Sequence, residues 1–158
     1  MKILSEVILE KHFKLKKIND KNSILRTLKY CSSCLFNQNI NNDSSLKYYA
    51  DKFCQNAHVV QICCDNNVIG FASYYCNDLD NKNAFLSMII ILSQYQSMGA
   101  GSALLKYILE DCKSAGMEHL LLEVDKQNRS AIEFYLKKGF VFLDKENDKS
   151  FFMSLIIS

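Results

Sequence analysis

Ala84-Phe85-Leu86-Ser87-Met88-Ile89-Ile90-Ile91-Leu92 is almost continuously apolar, and after Ser93-Gln94-Tyr95 the chain continues Gln96-Ser97-Met98-Gly99-Ala100-Gly101-Ser102. Nine apolar-rich residues are long enough for a buried strand and far short of the roughly 20 that a membrane helix needs. From Gly101 to Ala115, Leu104, Leu105, Ile108, Leu109 and Cys112 recur at helical spacing, so the stretch reads as buried strand, glycine loop, amphipathic helix. Glycines two apart at that junction let the backbone turn tightly and approach a ligand. The unbonded N–H groups and dipole of a helix start attract phosphate. In outline, residues 97–102 form a pyrophosphate cradle, although a plain strand-to-helix turn uses the same residues. No Lys-Ser/Thr follows the glycines and the three-glycine dinucleotide spacing is absent, which argues against ATP and NAD.

Working outward from this stretch, His12–Ile18 alternates as a half-buried strand, with Phe13 and Leu15 on one face. Asn19-Asp20 reads as a turn and cap before a helix over Ser23–Phe36, and Ser44 or Ser45 caps a second helix through Phe53. Two β-rich runs, 58–64 and 68–75, flank Asp65-Asn66-Asn67 as a hairpin. Beyond the central helix, Gly116 closes it, 120–124 is a strand, Ser130–Lys138 a helix ended by Gly139, and 140–143 and 151–157 are two closing strands. Strand–helix–strand units require parallel neighbours and hairpins require antiparallel ones. The expected fold is therefore α/β with a mixed sheet of about six or seven strands and about four helices.

Length and composition agree with a single domain over residues 1–158. The chain carries 19 basic and 17 acidic side chains, a net charge of +2, which gives no field that would select nucleic acid or an anionic membrane. Proline is absent and glycines number five, so turns rest on Asn, Asp and Ser clusters. Ser5 and Glu6 interrupt the apolar start and no cleavage site follows, so the expected address is the cytoplasm, with the seven cysteines mostly reduced. Cys31-Ser32-Ser33-Cys34 has the spacing of a redox or zinc pair, but no second Cys/His pair completes a metal site and no metal is expected. Of Cys63 and Cys64, adjacent on a strand, one is expected inside and the other near the surface.

A second segment favours the cradle over the plain turn. Asn128 stands just before a helix and Tyr135 lies seven residues on, about two turns along it. Gln96, Gly99 and Gly101, taken with Asn128, Ala131, Tyr135, Gly139 and Phe140, resemble the two motifs of the GCN5-related N-acetyltransferases. The likeness extends over roughly Val59–Ile157. It implies the acyl-CoA N-acyltransferase fold and acetyl-CoA as co-substrate, with the backbone of Ile89, Ile90 and Ile91 pairing with the pantetheine arm. Ser97, Met98, Gly99, Ala100, Gly101 and Ser102 would hold the pyrophosphate, Gln96 would belong to the same cofactor-binding motif, and Asn128 would hydrogen-bond the cofactor arm.

The same resemblance makes Tyr135 the general acid that protonates the leaving thiolate, a step a phenol can perform. Its plain alternative is a helix aromatic packed on the sheet. Glu123 occupies the place where the ribosomal-protein alanine acetyltransferase branch carries a carboxylate base. Strand alternation equally makes Glu123 a solvated residue, and water-relayed deprotonation is the other route. Where the histone-type branch has its glutamate, this chain has Phe85. The expected activity is transfer of acetyl to a primary amine by direct attack, on a small-molecule amine, amino sugar or protein amine. The alternative is a non-catalytic acyl-CoA-binding module. A homodimer is compatible with the family, and Tyr74 or Tyr75 could line the amine pocket or simply pack.

Overall fold

Seven strands and four α-helices form over residues 13–158, the part of the chain that the computed structural model describes. The strands follow the order β1-β2-β3-β4-β5-β7-β6 in one sheet. Their ranges are β1 Phe13–Ile18, β2 His58–Cys64, β3 Asn67–Asp78, β4 Asn83–Ile91, β5 His119–Asp125, β6 Val141–Glu146 and β7 Ser150–Ile156. The helices are α1 Lys21–Cys31, α2 Asp43–Asn56, α3 Ala100–Ser114 and α4 Arg129–Lys137. His12, read as the first residue of the opening strand, lies outside the described residues. Two compact units divide the fold: residues 13–73 with Met88–Tyr107, and Tyr74–Ser87 with Ile108–Ser158.

In the first unit β1 pairs antiparallel with β2, from Phe13 opposite Cys64 to Ile18 opposite Val59. Asp20 caps α1 by accepting the Ser23 N–H at 2.9 Å, and the helix buries Ile24, Thr27, Leu28 and Cys31. Apolar periodicity carries this helix to Phe36, but it stops at Cys31 and tightens into a 3-10 turn over Ser32–Cys34. The reason is local competition for carbonyls. Ser32 Oγ donates to the Lys29 carbonyl at 2.9 Å, and Gln38 Nε2 donates to the Leu35 carbonyl at 2.6 Å, ending the regular ladder. Helix α2 begins one turn-step earlier than a serine cap implies, because Asn42 Oδ1 takes the Ser45 N–H at 2.9 Å and Asp43 complements the positive helix end. Between β2 and β3, Asp65 and Asn66 both adopt positive φ, 49° and 68°, as a tight hairpin turn demands. Cys64 is buried and Cys63 is half-buried.

The second unit contains the parallel pairing. Asn83 to Leu86 of β4 run parallel to His119 to Leu122 of β5, and β5 runs antiparallel to β7 along its whole length. The sheet is mixed, as the element order requires. Leu120, Leu122 and Val124 are buried while Glu123 is exposed, so β5 alternates faces with period two. Strand β6 pairs with β7 at Val141, Phe142 and Glu146, with an irregularity between Phe142 and Glu146.

Candidate functional site

The strand-to-helix junction is built from the backbone of β4 upward. Gly70 on β3 is the enabling residue. A Cβ there would stand 2.2 Å from the Ile90 carbonyl oxygen and 2.9 Å from Ile91 Cδ1, so only glycine allows the end of β4 to come this close. The Leu92 N–H then bonds the Ile69 carbonyl at 2.8 Å. Ile89 and Ile91 stay half-buried with Ile90 buried between them. A 3-10 turn over Ser93–Tyr95 leads into the loop, where Gln96 Nε2 donates back to the Ile91 carbonyl at 2.9 Å. This amide ties the loop to the strand end.

The turn itself is made by Ser97, at φ 66°, and Gly99, at φ 85°. A Cβ added at Gly99 would meet nothing within 4 Å, so the space above the helix start is open. Helix α3 begins at Ala100, one residue before the periodicity places it, and the Ala103 N–H bonds the Gly99 carbonyl at 3.0 Å. The conformational demand therefore falls on Ser97 and Gly99, whereas Gly101 sits in the first helical turn. N–H groups of that turn have no intrahelical acceptor, and no acidic side chain lies there to repel an anion. Such a donor set suits a diphosphate by its chemistry.

Asn128 and Tyr135 belong to the other unit, as does Glu123. Asn128 caps α4: its Oδ1 accepts the Ala131 N–H at 3.4 Å, and its own N–H donates to the Asp125 carbonyl at 3.0 Å. The cap occupies the side-chain oxygen and leaves the amide NH2 to donate elsewhere. Tyr135, seven residues on, is 7 % exposed, with its ring centroid 5.6 Å from Phe134 and 5.3 Å from Phe140. Burial pushes its phenol well above the ordinary tyrosine range, and its hydroxyl makes no hydrogen bond to another described residue. Among the described residues, the position offers a protonated donor with no acceptor. Gly139, at φ 98°, then ends the helix, and the Phe140 N–H bonds the Tyr135 carbonyl at 3.0 Å. Glu123, opposite Phe152 on β7, is exposed and makes no hydrogen bond or ion pair with another described residue.

The structure thus brings Ile89–Ile91 and residues 96–102 together in one unit, and Asn128, Tyr135 and Glu123 together in the other. Three features of these surroundings were not legible in the sequence. Gly70 looks like any strand glycine until the Ile90 carbonyl is seen against it. Ser97 carries no signal for left-handed backbone, and the Gln96 bond to Ile91 needs the folded loop. Tyr74 is fully buried and donates to Asp111 Oδ2 at 2.6 Å, which makes it a packed, bonded residue. Cys31 is buried at the end of α1, and burial, helped by neighbouring Cys34, pushes its thiol up to about 12. For Cys34 burial acts upward as well, but hydrogen bonds from Ser93 and Ser33 outweigh it and lower the thiol below its ordinary value. Among the described residues no group of three or more His, Cys, Asp or Glu could hold a metal ion, and no helix is long and apolar enough to cross a membrane.

A mixed seven-stranded sheet with four helices, and a glycine-turned loop between its fourth strand and the following helix, matches the acyl-CoA N-acyltransferase class of folds. The chain belongs to the acetyltransferase (GNAT) family, whose model matches residues 29–140. It is 29% identical over 70 residues to N-alpha-acetyltransferase 50 of Danio rerio, covering 44% of this chain and 42% of that protein. It is also 34% identical over 55 residues to an uncharacterised N-acetyltransferase, YobR, of Bacillus subtilis (strain 168), covering 35% of this chain and 22% of that one. The matches therefore span less than half the length of these curated relatives. In fold it is similar to the ribosomal-protein-S18-alanine N-acetyltransferase from Escherichia coli, with a TM-score of 0.74 and 21% identity over 92% of this chain and 94% of the other. The PaiA N-acetyltransferase from Thermoplasma acidophilum, solved in complex with coenzyme A, aligns with a TM-score of 0.70 and 17% identity, over 91% and 98% of the two chains.

Proposed function

We propose that residues 1–158 are one catalytic domain that transfers acetyl from acetyl-CoA to a primary amine by direct attack. The observation that carries this reading is the family match over residues 29–140, which includes the loop turned by Ser97 and Gly99. In this reading the first-turn N–H groups of α3, with Ser97 to Ser102, receive the pyrophosphate. The backbone of Ile89–Ile91 pairs with the pantetheine arm. Gln96 holds the loop against the Ile91 carbonyl, and the Asn128 NH2 donates to the arm while its oxygen caps α4.

Catalysis then comes mainly from aligning the amine with the thioester, since a positioned pair reacts far faster than free partners. The amine must arrive with its lone pair free, and its proton leaves to Glu123 or to water. As the C–S bond breaks, Tyr135 gives its proton to the departing sulfur. Burial with no hydrogen-bond acceptor among the described residues suits this role, because it keeps the phenol protonated at neutral pH and ready to donate. The acceptor class stays a protein amine, amino sugar or small-molecule amine, and the site of action is the cytoplasm.

The test is release of free CoA thiol from acetyl-CoA over a panel of these amine classes, with acetyl-CoA binding measured in parallel by calorimetry. Turnover on at least one class with saturable acetyl-CoA dependence supports the reading. Binding of acetyl-CoA with no turnover on any class replaces it with a non-catalytic acyl-CoA-binding module.

A further inference from the structure

Seven cysteines serve no step of the proposed transfer, and two of them meet. Cys76, near the end of β3, places its Sγ 3.5 Å from Sγ of Cys112, in the last turns of α3. Cys112 is fully buried, whereas Cys76 is half-buried. The two lie 36 positions apart in sequence, so the fold alone brings them together.

From this juxtaposition we infer that Cys76 and Cys112 are a redox-active dithiol that closes to a disulfide by exchange with a low-molecular-weight disulfide. A disulfide bond is about 2.05 Å long, so the sulfurs need to approach by about 1.5 Å, within reach of small side-chain adjustments. The less buried partner reacts first. The Cys76 thiolate attacks one sulfur of the reagent, the reagent's S–S bond breaks, and one small thiolate leaves. Cys112, losing its proton, then attacks the Cys76 sulfur and expels the second small thiolate. Two protein thiols and one small disulfide become one protein disulfide and two small thiols, with every proton and electron accounted for.

Cys31 and Cys34 provide an internal contrast. Their spacing resembles a redox pair, but among the described residues no thiol–thiol contact joins them as one joins Cys76 to Cys112, and Cys34 Sγ lies against Ser93 Oγ and Ser33 Oγ. Exchange is therefore expected at Cys76–Cys112 and not there. The new bond would tie the end of β3 to the C-terminal half of α3. The closed loop contains β4 and the whole segment 96–102.

The experiment incubates the reduced full chain with glutathione disulfide over a range of glutathione ratios, quenches in acid, alkylates the remaining thiols and maps peptides by mass spectrometry. The expected result is a linked Cys76–Cys112 peptide from monomeric protein that dithiothreitol reverses. A rise in Tm of about 10 °C should accompany it, the size a loop of this length implies, and be absent in Cys76→Ser. Cys112→Ala, which fills the buried position without a sulfur, should behave as Cys76→Ser does. Cys76 halted as a glutathione mixed disulfide with Cys112 still alkylatable would overturn the inference. So would linkage of Cys31 to Cys34 in its place, or alkylation of both Cys76 and Cys112 under excess disulfide.

Discussion

Gly70 and Ile90 are packed backbone to backbone: the glycine faces the Ile90 carbonyl so closely that a Cβ would lie 2.2 Å from the oxygen. The strand end proposed to pair with the pantetheine arm is therefore positioned by the absence of a side chain on its neighbour. Gly70→Ala must push β4 outward. The expected loss of stability is about 3 kcal/mol, the upper part of the range for overpacking a buried site, and is read from the urea midpoint. A raised KM for acetyl-CoA should accompany it.

Gln96 acts on the same strand end through one hydrogen bond, from Nε2 to the Ile91 carbonyl. Its loss removes about 1 kcal/mol of loop ordering, which corresponds to about a five-fold weaker hold on acetyl-CoA. Gln96→Ala is expected to raise KM for acetyl-CoA by that factor with kcat nearly unchanged. Steady-state kinetics at saturating amine check this, and a fall in kcat alone would contradict the loop-bracing role.

Tyr135→Phe removes a hydroxyl that has no hydrogen-bond partner among the described residues. Folding stability should be kept, while kcat falls by about 100-fold or more if the phenol supplies the proton to sulfur. Thermal unfolding and turnover measured on the same preparation separate the two effects. Unchanged turnover would reassign Tyr135 to packing between Phe134 and Phe140.

The same residue sets an alkaline limit. In the unfolded chain a phenol ionises at about pH 10, whereas folded Tyr135 keeps its proton to higher pH. The folded state then binds more protons than the unfolded state, so stability is full below about pH 10 and declines above it by about 1.4 kcal/mol per pH unit. Cys31, raised from 9.0 to about 12, adds a decline of the same sign that begins lower. Urea unfolding between about pH 9 and 11 should show a steeper fall for the native chain than for Tyr135→Phe, and the difference between them isolates Tyr135.

Tyr74 and Asp111 make a short, partly buried bond, 2.6 Å from phenol to carboxylate. Bonds to charged acceptors contribute about 1.5–3 kcal/mol, so Tyr74→Phe should lower the unfolding free energy by about 2 kcal/mol. Chemical denaturation checks the magnitude.

Much of this architecture was already written in local patterns. Alternation along Phe13–Ile18 and 120–124, the apolar run before Ser93 and the periodic stripe from Leu104 to Cys112 each report a face that must be buried, and burial needs only the period to be recognised. Asp20 as a helix cap and Asp65-Asn66 as a tight turn were legible for the same reason, since their chemistry acts within three or four residues. Element ends were less so. The end of α1 depends on Gln38 reaching back to carbonyls, and the start of α2 on Asn42 competing successfully with Ser44 and Ser45.

By itself, then, the sequence determined the order of elements, the mixed sheet and the two motif segments around Gly99 and Tyr135. Tertiary structure alone decided that Gly70 lies against Ile90, that Tyr74 bonds Asp111, and that Cys76 meets Cys112. Those pairs are separated by 20, 37 and 36 positions, so no periodicity encodes them. They exist because pairing of the strands and packing of a helix bring distant backbone to within a few ångströms, where a missing Cβ, a phenol or a thiol acquires its effect.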